Sequence, residues 1–321
     1  MTLRRPAVQL SIDGRDLSGP EAAAVSVSVD LGLAPAHDRA RIVLQRLSPA
    51  IDIAAGARLV VGLGGDADSV ETVFTGIVDS VQATTGGVQA TAYAPSLALS
   101  RTRVAQAYLD QTAADVITDL LSQAGVDPGT INADLNLAAY HVDERRSAWS
   151  HLCAVARLAG VAVSSAADGS VDVAPWSGGS ADHELRYGAE LLAWTADRRA
   201  DGEPAPAVVP TGAGSEAGAD HWHILLKEPD GGSPSTATHV PGAVRDRDAA
   251  SSVADALAAR ARARTLGGWA LVTGLAAVRP GDRVDLTGLP VGDDVSARVR
   301  DARHRLDRGG YTTRLLLEAA L

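Results

Sequence analysis

His221 and His223 sit two apart in a run, His221 to Lys227, that reads as a β-strand. Alternation along a strand puts both imidazoles on one face, with Asp220 beside them. Zinc takes such a pair when a third ligand arrives from another element, and His183 or His304 could fill that part. The same spacing arises on strands that hold no metal, and the sequence leaves both readings of His221 and His223 open. Gly212-Ala213-Gly214-Ser215-Glu216-Ala217-Gly218 follows a predicted strand and has the glycine content of a phosphate-binding turn. Its spacing is G-x-G-x-x-x-G, and a strand follows rather than a helix. The strand–turn–helix that cradles a pyrophosphate is therefore missing, and the stretch reads as an open loop.

The other reactive side chains read as structural. Asp66 and Asp68 alternate in Gly64-Gly65-Asp66-Ala67-Asp68 without the later Glu of a calcium loop, so a solvated hairpin tip is expected. Asp143 and Glu144 are adjacent and point apart on any strand, which makes a poor acid–base pair. Cys153 falls on the apolar stripe of a predicted helix, where a thiol keeps its proton and is no nucleophile. His151, on the same helix, is expected to be solvated. His304 is expected to make a structural hydrogen bond inside a hairpin. No G-x-S-x-G elbow occurs. We assign no catalytic, cofactor-binding or metal-binding residue, and no cofactor.

Composition narrows the classes. The net charge of −10 argues against a general nucleic-acid binder, which needs a basic face. Basic residues are almost all Arg, with Lys227 the only Lys. Aromatic residues are 3% of the chain, so the core must come from Val, Leu, Ile and Ala. The 32 glycines call for many tight turns, as in a mainly β fold. Cys153 is alone, which excludes an intrachain disulfide. The first residues lack an apolar signal core, and no run reaches the ~18 apolar residues of a membrane helix. Cytoplasmic synthesis without direct membrane insertion is the expectation.

The elements follow from periodicity. Val8, Leu10 and Ile12 alternate, as do Val25 to Leu31 and Ala40, Ile42 and Leu44, and Arg58 to Leu63 is another short run. Val73 to Val81 and Val88 to Tyr93 flank Gly86-Gly87 as a hairpin. Thr112 and Asp115 can cap a helix whose Val116, Ile117, Leu120 and Leu121 share one face, with Gly125 as its stop. Ile117 and Leu120 should be buried. A second helix covers Ala148 to Leu158 and ends at Gly160; strands at 161–163 and 171–173 follow. Further strands are expected at 191–195, 205–211, 221–227, 269–272, 283–286, 296–302 and 311–317, with a helix at 248–264. This predicts a mainly β, α+β fold of two similar small antiparallel barrel-like modules. They span 1–95 and 176–321, the latter carrying the helix near 248–264, and an α/β connector at 96–175 joins them.

The two modules echo each other in sequence. Gly56-Ala57-Arg58-Leu59-Val60-Val61, Val78-Asp79 and Gly86-Gly87 match Gly281-Asp282-Arg283-Val284-Asp285-Leu286, Arg300-Asp301 and Gly309-Gly310. One strand–hairpin unit used twice explains this. Gly310 should need a positive φ in its hairpin.

Phe74-x-Gly76-x-Val78, a hairpin, and Thr112-x-x-Asp115-Val116-Ile117 ending in Gly125 together resemble the hub family of contractile tails. That family covers the phage late-control D proteins, the hub protein of phage T4 and the N-terminal part of type VI secretion spike proteins. Tyr140, Arg145, Ser147, Trp149, Leu152 and Gly160 fit its next segment in part, without the usual Gln and Phe. Pro280, Gly281, Asp282, Val284, Gly288, His304, Gly310 and Tyr311 fit its closing pattern. The resemblance implies a structural baseplate hub of a contractile injection system or phage tail, not an enzyme. It implies a homotrimer between a hexameric inner tube and a trimeric spike, among other baseplate components. Because the chain stops at Leu321, just after the last hub strand, a separate spike protein is expected. A tail-tip cell-wall hydrolase or a glycan-binding module is the alternative. The first would need a polar cleft with paired carboxylates, the second exposed aromatic side chains.

Overall fold

The computed structural model describes residues 5–17, 24–45, 53–175, 182–198, 207–208, 211–214, 223–226, 238–239, 243–244 and 247–320. The chain opens with β1 (Ala7–Ile12), β2 (Arg15–Asp16), β3 (Ala24–Gly32), β4 (Arg39–Gln45), β5 (Arg58–Gly64), β6 (Glu71–Thr84) and β7 (Gly87–Tyr93). Period-2 alternation sets the faces. In β4, Ala40, Ile42 and Leu44 are buried while Arg39, Arg41 and Gln45 are exposed. These strands pair antiparallel in the order β1–β5–β6–β7–β4–β3.

The connector follows as α1 (Leu97–Arg101), β8 (Gln106–Thr112), α2 (Ala113–Gln123), β9 (Pro128–Ile131), β10 (Asn136–Val142), α3 (Ala148–Leu158), β11 (Val161–Ser165) and β12 (Val171–Pro175). The Thr112 hydroxyl accepts from the Asp115 N–H at 3.1 Å, and the Asp115 carboxylate accepts from the Thr112 N–H at 3.1 Å. This reciprocal cap starts α2 where the sequence places it. Ile117 and Leu120 are fully buried on its inner face, as expected. Periodicity does not predict α1, β9 or the antiparallel pairing of β8 with β10, which lie on either side of α2 in the chain. Thr112 closes one strand and caps the next helix, so no turn residues separate β8 from α2.

The last part holds β13 (His183–Arg186), β14 (Leu191–Arg198), β15 (Ala207–Val208), β16 (Thr211–Gly214), β17 (His223–Leu226), β18 (Thr238–His239), α4 (Arg247–Ala263), β19 (Leu266–Thr273), β20 (Arg283–Thr287), β21 (Val295–Asp307) and β22 (Gly310–Ala319). Its strands pair in the order β13–β20–β21–β22–β19–β14. This repeats the order of the first set strand for strand. The fold is thus mainly β, with two modules of matching strand order; the expected antiparallel pairing holds throughout the first, whereas in the second β13 runs parallel to β20. β21 also pairs with β3, so both modules lie in one continuous sheet around one apolar interior. A second apolar cluster fills the connector, and α4 reaches out of its own module to bury Val253 and Leu257 there.

Candidate functional site

The duplicated unit is the most ordered chemical feature of the chain, and its parts can be matched atom by atom. In the first module the Gly56 N–H donates to the Val78 carbonyl at 2.8 Å, and the Val78 N–H donates to the Ala57 carbonyl at 2.9 Å. In the second, the Gly281 N–H donates to the Val299 carbonyl at 2.7 Å, and the Val299 N–H to the Asp282 carbonyl at 2.8 Å. Gly56 has φ 91 and Gly281 φ 105, which explains a glycine at both turns. One residue after each valine the long strand bulges: Asp79 in β6 and Arg300 in β21 have no partner across the hairpin. The bulges correct the sequence alignment by one place, since Asp79 corresponds to Arg300 and not to Asp301.

The motif Phe74-x-Gly76-x-Val78 gains a physical meaning from this match. Strand register makes Phe74 the counterpart of Val295, and Gly76 that of Ala297. A Cβ on Gly76 would lie 2.4 Å from the Phe74 ring and 2.3 Å from the Tyr93 carbonyl. The ring of the only Phe in the chain uses the space a methyl would fill.

A polar seam joins the two modules. The Arg279 guanidinium donates to the Thr72 and Val73 carbonyls of β6, each at 2.6 Å. Asp282 accepts from the Arg279 N–H at 2.7 Å and meets His183 Nε2 at 3.0 Å. That carboxylate holds the His183 pKa above its ordinary value. Asp38 is buried beside the seam, accepts from the Gly32 N–H at 2.8 Å, and is pushed up to about 7 by loss of solvent. His304 lies within hydrogen-bonding reach of the Tyr311 hydroxyl, 3.0 Å, and of Thr313, 3.2 Å. Burial pushes it down to about 3, so it is neutral. The structural hydrogen bond expected of His304 is present.

The remaining candidates are scattered. His183 serves the seam and His304 the second module's interior. Gly212 to Gly214 lie inside β16, which pairs antiparallel with β17. His221, Asp220 and residues 215–218 lie outside the described residues, and His223 begins β17. Among the described residues no group of three metal-ligating side chains converges. Asp66 and Asp68 sit on an exposed turn beyond β5, as expected. Asp143 pairs with its neighbour Arg145 at 3.1 Å. Burial pushes the Cys153 thiol up to about 12. His151 corrects its expectation. It is 2% exposed, not solvated, and its Nε2 lies 3.1 Å from the Asp143 carbonyl. That carbonyl, which also accepts from the Arg146 N–H at 3.3 Å, lies in the turn before α3, and the imidazole reaches it from the first turn of the helix.

No family model and no curated protein matches the sequence. Solved structures match it along its whole length. A prophage MuSo2 43 kDa tail protein from Shewanella oneidensis superposes with a TM-score of 0.69 at 13% identity, over 98% of both chains. A tail protein from Neisseria meningitidis superposes at 0.72 with 17% identity, over 98% of this chain and 96% of that one. The chain has a phage tail-protein fold. An E. coli component of the type VI secretion system shares this fold at 0.60 and 12% identity, over 96% of this chain and 76% of that one. That protein is itself described as similar to tail proteins of bacteriophage T4. The tail-protein fold therefore spans the modules and connector together, which places the duplicated unit, the seam and the connector in one architecture.

Proposed function

We propose that this chain is the baseplate hub of a contractile injection system or phage tail, a structural part without turnover. The observation that carries the reading is the repeated strand order of the two modules. A hexameric tube presents six equal docking sites, and a trimer meets all of them only when each chain offers two similar surfaces. Three chains with two modules each form a closed ring of pseudo-sixfold symmetry around a central channel. The other face of the ring carries a trimeric spike. Synthesis and assembly take place in the cytoplasm, and the finished hub becomes part of an injection particle or virion. In this reading the chain needs no cofactor or metal and inserts into no membrane.

Solution mass tests the reading. Light scattering should give three times the 32.9 kDa of one chain, alone or with the cognate tube protein, and particle averages should be ring-shaped. A protein that stays monomeric under both conditions refutes it, as does a ring that only one of the modules lines.

A further inference from the structure

A groove of about 1010 Å³ opens where α3, α4 and the ends of β21 and β22 meet. Local chemistry builds its walls. The link after β3 is tied down by the Ala34 N–H donating to the Val163 carbonyl at 2.9 Å and by Trp149 Nε1 donating to the Pro35 carbonyl at 2.8 Å. Leu33, Pro35, Leu158 and Val161 give the groove an apolar lining. Over this lining stand Arg146, Arg157, Arg260, Arg264 and Arg300, against the two carboxylates of Asp301 and Glu318. Among the described lining residues these groups sum to a formal +3 in a chain whose net charge is −10; Arg264 has a partner of its own, and the surplus stands without it.

Both carboxylates are already engaged. Asp301 pairs with Arg300 at 2.9 Å, and Glu318 faces Arg298 at 3.8 Å. Arg157 and Arg260 have no ion pair of their own among the described residues, and the Arg260 pKa is held below its ordinary value first by burial and then by the neighbouring Arg157 and Arg264. Clustered like charges left in place at the cost of mutual repulsion fit an anionic occupant. The volume is far above that of a single small anion. The apolar lining suits side chains rather than a phosphate backbone, and Tyr140 is the only Phe, Tyr or Trp among the described lining residues, which leaves little to stack bases on.

We infer that this groove is a docking site for an acidic, partly apolar peptide segment of another protein. Arginine guanidinium groups pair with its carboxylates in a forked geometry, and its apolar side chains lie along the lining. The inference concerns one chain and does not rest on the trimeric hub reading.

Fluorescence anisotropy of a labelled peptide that alternates Glu with Leu, titrated with the full chain, tests it. Binding is expected, weaker at high salt, and absent for the same peptide with Gln in place of Glu. Arg157→Glu combined with Arg264→Glu should weaken it about tenfold or more, since both side chains are exposed and reversal brings like charges together. The melting temperature should stay well above the assay temperature, so that lost binding is not lost fold. If that pair fails to fold, Arg157→Gln with Arg264→Gln should weaken binding to a smaller degree. Four results overturn the inference: no binding of the Glu peptide, equal binding of its Gln form, unchanged affinity in the folded variants, or a DNA oligonucleotide bound more tightly than the peptide.

Discussion

Ile77 and Arg298 occupy the same place in the two modules. Each sits opposite an arginine of the preceding strand, Arg58 or Arg283, and opposite Tyr93 or Glu318 of the following one. Ile77 is 43% exposed and Arg298 is 7% exposed. The inward neighbours stay small and apolar in both copies, Gly76 with Val78 and Ala297 with Val299. Strand alternation lets the outer face change its chemistry while the inner face is kept. The reason for the change lies between the strands. β3 and β4 are joined by a short link, whereas the equivalent β14 and β19 are separated by a long insertion that includes α4. α4 packs against β22, and its Arg260 acts on Glu318. The repeat thus carries an open apolar patch in one module and a buried ion pair in the other.

The largest test of this comparison removes the pair. Arg298→Ala should cost about 3–5 kcal/mol, because Glu318 is left buried without its strongest counter-charge. Ile77→Ala should cost less than about 1 kcal/mol, as its side chain is largely in water. Changing Arg298 to Met and Glu318 to Leu together should recover most of the loss. Urea unfolding measures all three, and equal costs for the two single changes would break the comparison.

Next comes the inner face. Gly76→Ala should destabilise by about 1–3 kcal/mol through the clash with Phe74 and the Tyr93 carbonyl. Adding Phe74→Val imitates the second module and should restore part of it. A double variant no better than the sum of its single changes would mean that ring and glycine are not coupled.

The third test uses pH. Folded His304 stays neutral down to about 3, while the unfolded side chain takes a proton below its ordinary 6.5. Below 6.5 the unfolded state binds more protons, so His304 makes stability fall as pH falls. Asp38 acts in the other direction. Its folded carboxyl keeps a proton up to about 7, while the unfolded one loses it above 3.8, so stability falls as pH rises through that window. Each slope is at most about 1.4 kcal/mol per pH unit. Between 3.8 and 6.5 they oppose each other, so His304→Gln and Asp38→Asn should tilt the stability curve in opposite directions. A variant whose curve keeps the parent's slope would show that its group titrates normally in the fold.

The smallest effect is expected at the bulges. Asp79 pairs with Arg101 of α1 at 2.7 Å, and Arg300 with Asp301 at 2.9 Å. Both pairs are partly in water, so Arg101→Ala should cost roughly 0.2–1 kcal/mol and lose that effect in high salt. A larger cost would mean that the first bulge, unlike the second, anchors the connector.

Much of this was legible in the chain because it is local. Alternating apolar residues marked most strands of the two modules, and the Gly-Gly pairs marked both hairpins. The Thr112–Asp115 spacing located α2. Gly310 has φ 108, as its hairpin requires. Short elements without flanking turn residues, such as α1 and β8, were not legible. The burial of His151 was hidden for another reason. Helical spacing placed it beside the apolar stripe, but only packing against Tyr140 and Asp143 closed the water off.

By itself, then, the sequence determined the mainly β character, the turns, the helix caps and the existence of a repeat, all of which depend on residues close in the chain. Tertiary structure alone decided how the copies correspond. The one-residue bulge shift can be read only from hydrogen bonds across a sheet. The strand beside β5 runs antiparallel as β1, whereas that beside β20 runs parallel as β13. Even so, Asp13 and Asp182 accept from the Arg58 and Arg283 N–H groups in the same way, at 2.7 and 2.9 Å. No local pattern distinguishes these directions, because an alternating strand buries the same face whichever way it runs. The seam through Arg279, the β3–β21 pairing and the arginine groove likewise join residues far apart in the chain, and only the closing of the whole sheet brings them together.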